Sequence, residues 1–443
     1  MNFLKNPLSI RVFSYLLVGF LYIYFLSIYS PLGVNWLDWH SHRVFNAIEY
    51  LRLNGFFASY GFSIWSSCED CTLNSINWQD QIYLSVPFFP LSPYIFINHY
   101  WGKDIFLVAG PLLDKSVIIF TGILLAELGL RIFNSSKKPF VFPDLITGLA
   151  IFILFLSSPW TYKMFLASWA EIYFLMFMLI GLICLQLKKN ISGVLFFFLA
   201  GVFHYIWAFI ASIFYLLIII LPRFTNDEYK NNFFSTTLAE SSIKKFILIL
   251  SLSLPALVYV CMKLYASTFI EGGMGSSLFF RVGVSGNDFH NGGILGALQF
   301  LGGNRINTCV NVDNISFVGE NLNLAIFTFN CVLSLSGMAL ISIFSIFGMS
   351  ILLSNSATAR SIFIPLAFSL LVFIMIFQQA LSVHLMGFSY IFSVFFSLGV
   401  VSFLNYLSEY ISSLVLKIIF MSPLVLGIII LSTRVSMMTG ANG

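Results

Sequence analysis

The sequence predicts an all-α polytopic membrane protein with about eleven transmembrane helices and two large outer loops. Of the 443 residues, 59% are hydrophobic, 18% aromatic and only 9% charged, whereas soluble domains carry about 25% charged residues. Apolar stretches of membrane-spanning length recur from Leu16 to Leu431. We therefore expect a single transmembrane domain over residues 1–443, and the composition excludes soluble globular, disordered, collagen-like and coiled-coil proteins.

The first predicted span, about 13–29, follows Lys5 and Arg11, which places the N-terminus in the cytoplasm. It lacks the small-residue cleavage site of a signal peptide, so we expect it to be retained. An over-long apolar stretch is expected to form two short helices that turn near His204. The later spans are predicted near 111–132, 143–156, 165–187, 191–221 (two helices), 246–265, 322–353, 362–377, 386–406 and 414–432.

With this number of crossings, most Lys and Arg residues fall on the inner side and most Asp and Glu residues on the outer side. The inner connections are short. The outer loops, 30–110 and 266–321, hold most of the ionisable groups outside the spans. We therefore expect binding or catalysis on the outer side. The cations are scattered singly, which indicates no nucleic-acid partner.

The first outer loop contains a predicted amphipathic helix over 39–54. Its apolar residues recur at helical spacing, namely Val44, Ala47, Ile48 and Leu51. Gly55 is the expected C-cap. Residues 85–94 contain three prolines, which predicts a rigid extended segment before the chain re-enters the membrane.

The second outer loop, 266–321, is rich in Gly and Asn, which indicates a polar, irregular segment. Cys68 and Cys71 could form a disulfide in an oxidising compartment, or one of them could pair with Cys309; the sequence leaves their oxidation open. No second pair of zinc ligands stands at the required spacing, so the sequence assigns no metal site. A divalent cation remains open as a cofactor.

Asp38 is the strongest catalytic candidate. It follows the first span, lies between two tryptophans and precedes the amphipathic helix. A partly desolvated carboxylate that is open to the outside suits a general base. The alternative is that Asp38 only caps the helix, a position that Asp favours. Both roles are compatible, and Asp80 is the reserve candidate.

Several outer cations could bind an anionic ligand: His40, His42, Arg43, Lys263, Arg281 and Arg305. Lys263 ends an apolar stretch near the outer headgroup level. The alternative for Lys263 is that its ammonium group extends to the interface without a functional role.

Glu171 lies at the outer end of a predicted span, where an unpaired acid costs ~2.5 kcal/mol or more and therefore needs a partner. Asp114 and Lys115 occupy a comparable position near the outer end of the second span. These two residues could serve a site or pair structurally with other helices, and the sequence leaves both alternatives open.

The order of these parts resembles the GT-C class of integral-membrane glycosyltransferases. The likeness rests on a first span followed at once by an Asp-bearing outer loop with an amphipathic helix, here Asp38 to Gly55. The Pro-rich segment at Pro87, Pro90 and Pro93 is similar too, as are Ser158-Pro159-Trp160 and Ser168-Trp169-Ala170-Glu171. The resemblance covers residues 1 to about 220, and Asp38 departs from several branches because Trp-His-Ser-His follows it.

The resemblance implies sugar transfer from a polyprenyl-phosphate donor, with Asp38 as catalytic base and Glu171 as an assisting acid. It implies inversion at the anomeric carbon. The acceptor would be a glycan, a lipid or a protein. We expect a multi-pass protein of a bacterial inner membrane, with its active site on the periplasmic or extracellular side.

Two alternatives remain open. A polysaccharide polymerase or ligase of the O-antigen type would rely on outer arginines, of which the chain has Arg43, Arg52, Arg281, Arg305 and Arg434. A transporter would need ionisable groups near the membrane midplane, whereas the sequence places them at the outer ends of spans.

Overall fold

The computed structural model describes residues 7–29, 38–60, 62–64, 82–87, 91–135, 143–158, 160–161, 164–165, 171–187, 189–220, 242–266, 268–269, 340, 342–376, 385–410, 413 and 426. The helices in chain order are α1 (Pro7–Tyr29), α2 (Asp38–Asn54), α3 (Ser92–Asn134), α4 (Asp144–Ser157), α5 (Glu171–Gln186), α6 (Asn190–Phe203), α7 (Tyr205–Ile220), α8 (Ser242–Ala266), α9 (Ser342–Asn355), α10 (Ala357–Ile376) and α11 (Leu385–Glu409). A short 3-10 helix, Phe56–Ser59, and two strands, β1 (Phe62–Ile64) and β2 (Ile82–Pro87), lie between α2 and α3.

Within the described residues, four helical segments are long and apolar enough to cross a bilayer: Pro7–Ile28, Ser92–Asn134, Phe246–Ala266 and Tyr390–Glu409. In the same part of the chain, the apolar segments of the other helices cover 10–17 residues. A helical protein with spanning-length apolar helices is thus confirmed, while the number of crossings stays a prediction. Of the last predicted span, 414–432, only Leu426 is described, and 270–321 of the second outer loop lies outside the described residues.

One end of the helix bundle is closed by a network of charges, here called the basal end. Arg11 donates from Nε and Nη2 to the two carboxylate oxygens of Glu127, at 2.8 and 2.9 Å. Its Nη1 lies 3.9 Å from Asp144 Oδ2, and the Tyr15 hydroxyl donates to Glu127 at 3.3 Å. A bidentate ion pair of this kind fixes the relative orientation of the two side chains as well as their distance. The start of α1 therefore lies beside the end of α3 and the start of α4.

The junction of α9 and α10 lies at the basal end too. The Ser135 hydroxyl donates to Thr358 Oγ1 at 3.0 Å, and the Ser356 hydroxyl donates to the Ile132 carbonyl at 3.3 Å. Arg360 donates to two carbonyls near the end of α9, at 2.8 and 2.9 Å. Because α1 starts and α3 ends here, these helices run antiparallel, and the chain between them lies at the opposite end.

Close contacts join α5 to α7 and α9 to α11. The predicted turn near His204 is confirmed, because His204 has an extended backbone (φ −144°, ψ 105°) between α6 and α7. The Trp207 ring stacks on Phe174 of α5 with centroids 3.8 Å apart. In the C-terminal half, α9 and α11 cross at Gly348 and Gly399, where an added Cβ on Gly348 would overlap the Gly399 carbonyl.

The predicted amphipathic helix is confirmed as α2, which begins at Asp38. All four residues of its predicted apolar face are buried: Val44, Ala47, Ile48 and Leu51. The C-cap is confirmed as well. Gly55 has a φ of +78°, and its N–H donates to the Leu51 carbonyl at 2.9 Å. This helix packs against α3.

The Pro-rich segment is extended in part. Strand β2 pairs antiparallel with β1, with an irregularity between Phe62 and Ser63. The prediction of extended chain up to residue 94 is wrong at its end, because α3 begins at Ser92 and Pro93 lies in its first turn. The first turn tolerates proline, since the N–H groups there have no partner within the helix.

Candidate functional site

The first feature of the candidate site is a fold-back in α3. A straight helix would place Tyr94 and Asp114 about 30 Å apart, yet the Tyr94 hydroxyl donates directly to Asp114 Oδ1. Gly102 makes the turn, with φ 79° and ψ 176°. Only glycine adopts such angles readily. Residues 92–101, here called the arm, therefore fold back against 103–134.

The fold-back encloses what we call the polar cluster: Tyr94, Asp114, Lys115 and Tyr173. Tyr94 and Asp114 are fully buried, and Lys115 and Tyr173 are 2% and 5% exposed. Tyr173, near the start of α5, lies against Tyr94 and interacts with the Asp114 charge. A carboxylate without a partner is costly inside a spanning helix. The hydrogen bond from Tyr94 offsets part of that cost for Asp114.

The arm also holds α2 in place through three side chains, here called the latch. Glu49 of α2 accepts a hydrogen bond from Asn98 Nδ2 of the arm. Arg52 donates to Glu49 from Nη2 at 2.8 Å and from Nε at 3.2 Å. Burial raises the pKa of Glu49. The hydrogen bonds from Arg52 and Asn98 and the charges of Arg52 and Lys103 outweigh that effect, so the pKa lies below its usual range.

The end of the bundle that holds the arm and the polar cluster is here called the capped end. The strand pair and the end of α8 complete it. The Tyr60 ring stacks on Phe269 with centroids 5.3 Å apart, and Phe62 of β1 meets Tyr259 of α8 edge-on at 5.8 Å. Lys263 is 4% exposed, with Nζ 5.9 Å from the Tyr259 ring centroid. Its side chain is therefore enclosed by protein, contrary to the expectation that it could extend to the interface.

The predicted site residues are described to different extents. Asp38 and Glu171 are the first residues of α2 and α5. The structure describes the backbone, and not the side chains, of these two residues and of His40, His42 and Arg43. Outside the described residues lie Asp80, Arg281 and Arg305, together with Cys68 and Cys71. Lys263 is the one predicted ligand-binding side chain within the described part of the chain.

The helices that start with the two predicted acids meet around the arm. Phe45 of α2 lies 5.9 Å from Phe106, and Phe106 lies 6.5 Å from Tyr94. Tyr173 reaches the same Tyr94 from the first turn of α5. Glu171 precedes Tyr173 by two residues, a rise of about 3 Å. The backbones of both acids are thus on helices that flank the polar cluster.

Sequence reasoning did not single out Tyr94, Asn98 or Tyr173. The available signal was indirect: a buried acid at Asp114 requires a donor, and Gly102 lies in a short polar segment, 98–104, where a helix could turn. The Asp114 carboxylate, which accepts from the Tyr94 hydroxyl, and the buried Lys115 ammonium beside it are groups that can exchange protons. Among the described residues, no group of three or more His, Cys, Asp or Glu could hold a metal ion.

Comparisons of the chain with protein-family models, with curated proteins and with solved structures found no match.

Proposed function

We propose that the protein is a membrane glycosyltransferase that moves a sugar from a polyprenyl-phosphate donor to an acceptor on the extracytoplasmic face. Asp38 would be the general base and Glu171 an assisting acid. One observation carries the proposal: the helices that begin with these acids both pack around the arm and the polar cluster, at the end of the bundle opposite Arg11.

In the proposed reaction, Asp38 takes the proton from an acceptor hydroxyl while that oxygen attacks the anomeric carbon. The new glycosidic bond forms as the bond from the anomeric carbon to the phosphate oxygen breaks. The phosphate leaves with the electron pair and stays on its lipid. The acceptor would be a glycan, a lipid or a protein, and no nucleotide or nucleic acid takes part.

Lys263 supports the phosphate-leaving step. Its ammonium group is enclosed at the capped end, beside Tyr259. A cation removed from water stabilises developing negative charge far better than one that water screens. His40, His42, Arg43, Arg281 and Arg305 remain candidates for the same role. We place the protein in a bacterial inner membrane and assign it no cofactor. A requirement for a divalent cation would be tested by adding a chelator.

The decisive experiment compares Asp38→Asn with Asp104→Asn. Asparagine has nearly the same size and shape as aspartate, so Asp38→Asn removes the base and preserves the local fold. Asp104 is an exposed acid near the arm and serves as the matched control. With radiolabelled polyprenyl-phosphate sugars, we expect transfer to be lost in Asp38→Asn and retained in Asp104→Asn, at equal protein yield. Full activity in Asp38→Asn, or activity with soluble nucleotide sugars, would contradict the proposal.

The structure bears differently on the two alternatives. Arg52 is engaged with Glu49, which leaves fewer outer arginines for a polymerase or ligase. The buried Asp114 and Lys115 favour a transporter as the second candidate, because ionisable groups inside a span mark ion and proton pathways. The test measures uptake of a solute into proteoliposomes under a pH gradient. Uptake that Asp114→Asn abolishes, and that Asp38→Asn leaves intact, would favour transport over sugar transfer.

A further inference from the structure

The arm has two chemically different faces. Tyr94, Ile97 and Asn98 are buried against the protein. On the outer side, Phe96 and Trp101 are 54% and 53% exposed. Tyr100, which is 65% exposed, packs its ring against Phe96 at 4.6 Å, and Trp101 meets Phe96 at 5.7 Å. Three large aromatic rings thus form one exposed patch on a helix whose other face is fixed.

This patch continues onto the adjoining part of α3, which is a candidate membrane span. Ile105, Val108 and Leu112 are 49%, 64% and 53% exposed, and they follow the turn at Gly102 at helical spacing. In a membrane protein, an exposed apolar flank of a spanning helix faces the acyl chains. The aromatic patch therefore adjoins the lipid-facing side of the span, at its outer end.

The polar residues at the turn indicate the depth. His99, Lys103 and Asp104 are exposed between the aromatic patch and the apolar flank. Tyr and Trp rings concentrate where headgroups meet acyl chains, because one edge is apolar and the other carries a hydrogen-bonding group. The Lys103 ammonium lies over the Phe45 ring of α2, 4.5 Å from its centroid, so the depth is indicated by the exposed rings and by His99 and Asp104. This combination fits the interface and suits neither bulk water nor the centre of the bilayer.

We infer that the arm is an interfacial anchor, and that Phe96, Tyr100 and Trp101 insert between phospholipid headgroups. The partner is the phospholipid surface itself. The loop that the sequence places wholly outside the membrane would therefore return to it at 92–101. Because the same short helix presents Tyr94 to Asp114 on its other face, anchoring the arm also holds the polar cluster together, whichever reaction or transport step that cluster serves.

The test uses tryptophan fluorescence of the full-length protein in phosphatidylcholine nanodiscs. The chain has eight tryptophans, so Trp101 is isolated as the difference in emission between the wild type and Trp101→Phe. Phenylalanine preserves the apolar surface. Some nanodiscs contain lipids brominated near the carbonyl end of the acyl chain, others near the methyl end, and acrylamide quenches from the water. The matched control is Trp207→Phe, since Trp207 is 2% exposed and stacks on Phe174.

We expect bromines near the carbonyl end to remove most of the Trp101 emission, bromines near the methyl end to remove less, and acrylamide to remove little. The Trp207 emission should respond to none of the three. Quenching of Trp101 by acrylamide alone would place the arm in water and overturn the inference. Resistance to every quencher would overturn it too, because Trp101 would then be covered by protein, such as a second copy of the chain.

Discussion

Replacing Asn98 by alanine tests whether the latch holds α2 against the arm. Asn98 donates to the Glu49 carboxylate, whose side chain is 16% exposed. A hydrogen bond to a charged group contributes about 1.5–3 kcal/mol. Taking about 2 kcal/mol, Asn98→Ala should raise the fraction of time that α2 is locally open by about 30-fold. The remainder of the bundle should be unaffected, because this contact is confined to α2 and the arm.

Arg52→Ala is the matched control, since Arg52 binds the same carboxylate from within α2. Its side chain is 38% exposed, and exposed ion pairs contribute only about 0.2–1 kcal/mol. We therefore expect at most about a fivefold increase in local opening for Arg52→Ala. The assay is hydrogen–deuterium exchange of the α2 amides in nanodiscs, read by mass spectrometry. Equal effects of the two substitutions, or unchanged exchange in Asn98→Ala, would refute this view of the latch.

The latch should also respond to pH. The pKa of Glu49 lies below its usual range in the folded protein. The latch therefore stabilises α2 fully above the ordinary glutamate pKa of about 4.3, and this stabilisation is lost as the pH falls through the lowered pKa. After correction for intrinsic exchange rates, α2 protection should fall at acidic pH in the wild type and stay flat in Glu49→Gln. A steep acid dependence in Glu49→Gln would assign the effect to another group.

Two further substitutions test the packing of the bundle by thermal unfolding in detergent. Gly348→Ala should cost about 1–3 kcal/mol, because the added methyl group meets the Gly399 carbonyl; an unchanged midpoint would mean that α9 and α11 lie further apart. Arg11→Gln should cost up to about 3 kcal/mol by leaving Glu127 without its cation, and a second substitution, Glu127→Gln, should restore much of it. A double variant no more stable than Arg11→Gln would exclude the ion pair as the cause.

Local signals in the sequence predicted the local features of the fold. The spacing of Val44, Ile48 and Leu51 and the glycine at 55 were enough to define α2 and its end, because burial of one helical face and a positive φ leave a direct trace in residue order. The turn at His204 followed from length alone, since one apolar stretch was too long for a single crossing and short for two.

Long-range features left no such trace. The pairing of Phe62 with Pro87 depends on chain that is distant in sequence. The fold-back at Gly102 depends on one glycine that the sequence does not distinguish from the other glycines of the chain. The sequence could show that Asp114 needs a partner but could not name it. Tyr94 reaches Asp114 only through that fold-back, and Tyr173 comes near its charge only through the packing of α5. Of the candidate site, the sequence proposed Asp38 and Glu171 as acids, which stays a prediction, and it missed the polar cluster beside their helices.

The contacts between the strand pair and α8 have a consequence for biosynthesis. Phe62 and Tyr60 pack against Tyr259, Tyr265 and Phe269, which leave the ribosome roughly 200 residues later, or about 10–40 s at ordinary rates of translation. During that interval Tyr60 and Phe62 lack their permanent neighbours. A nascent chain arrested before residue 242 should therefore expose the segment around Tyr60 and Phe62 to added protease, and the full-length chain should protect it.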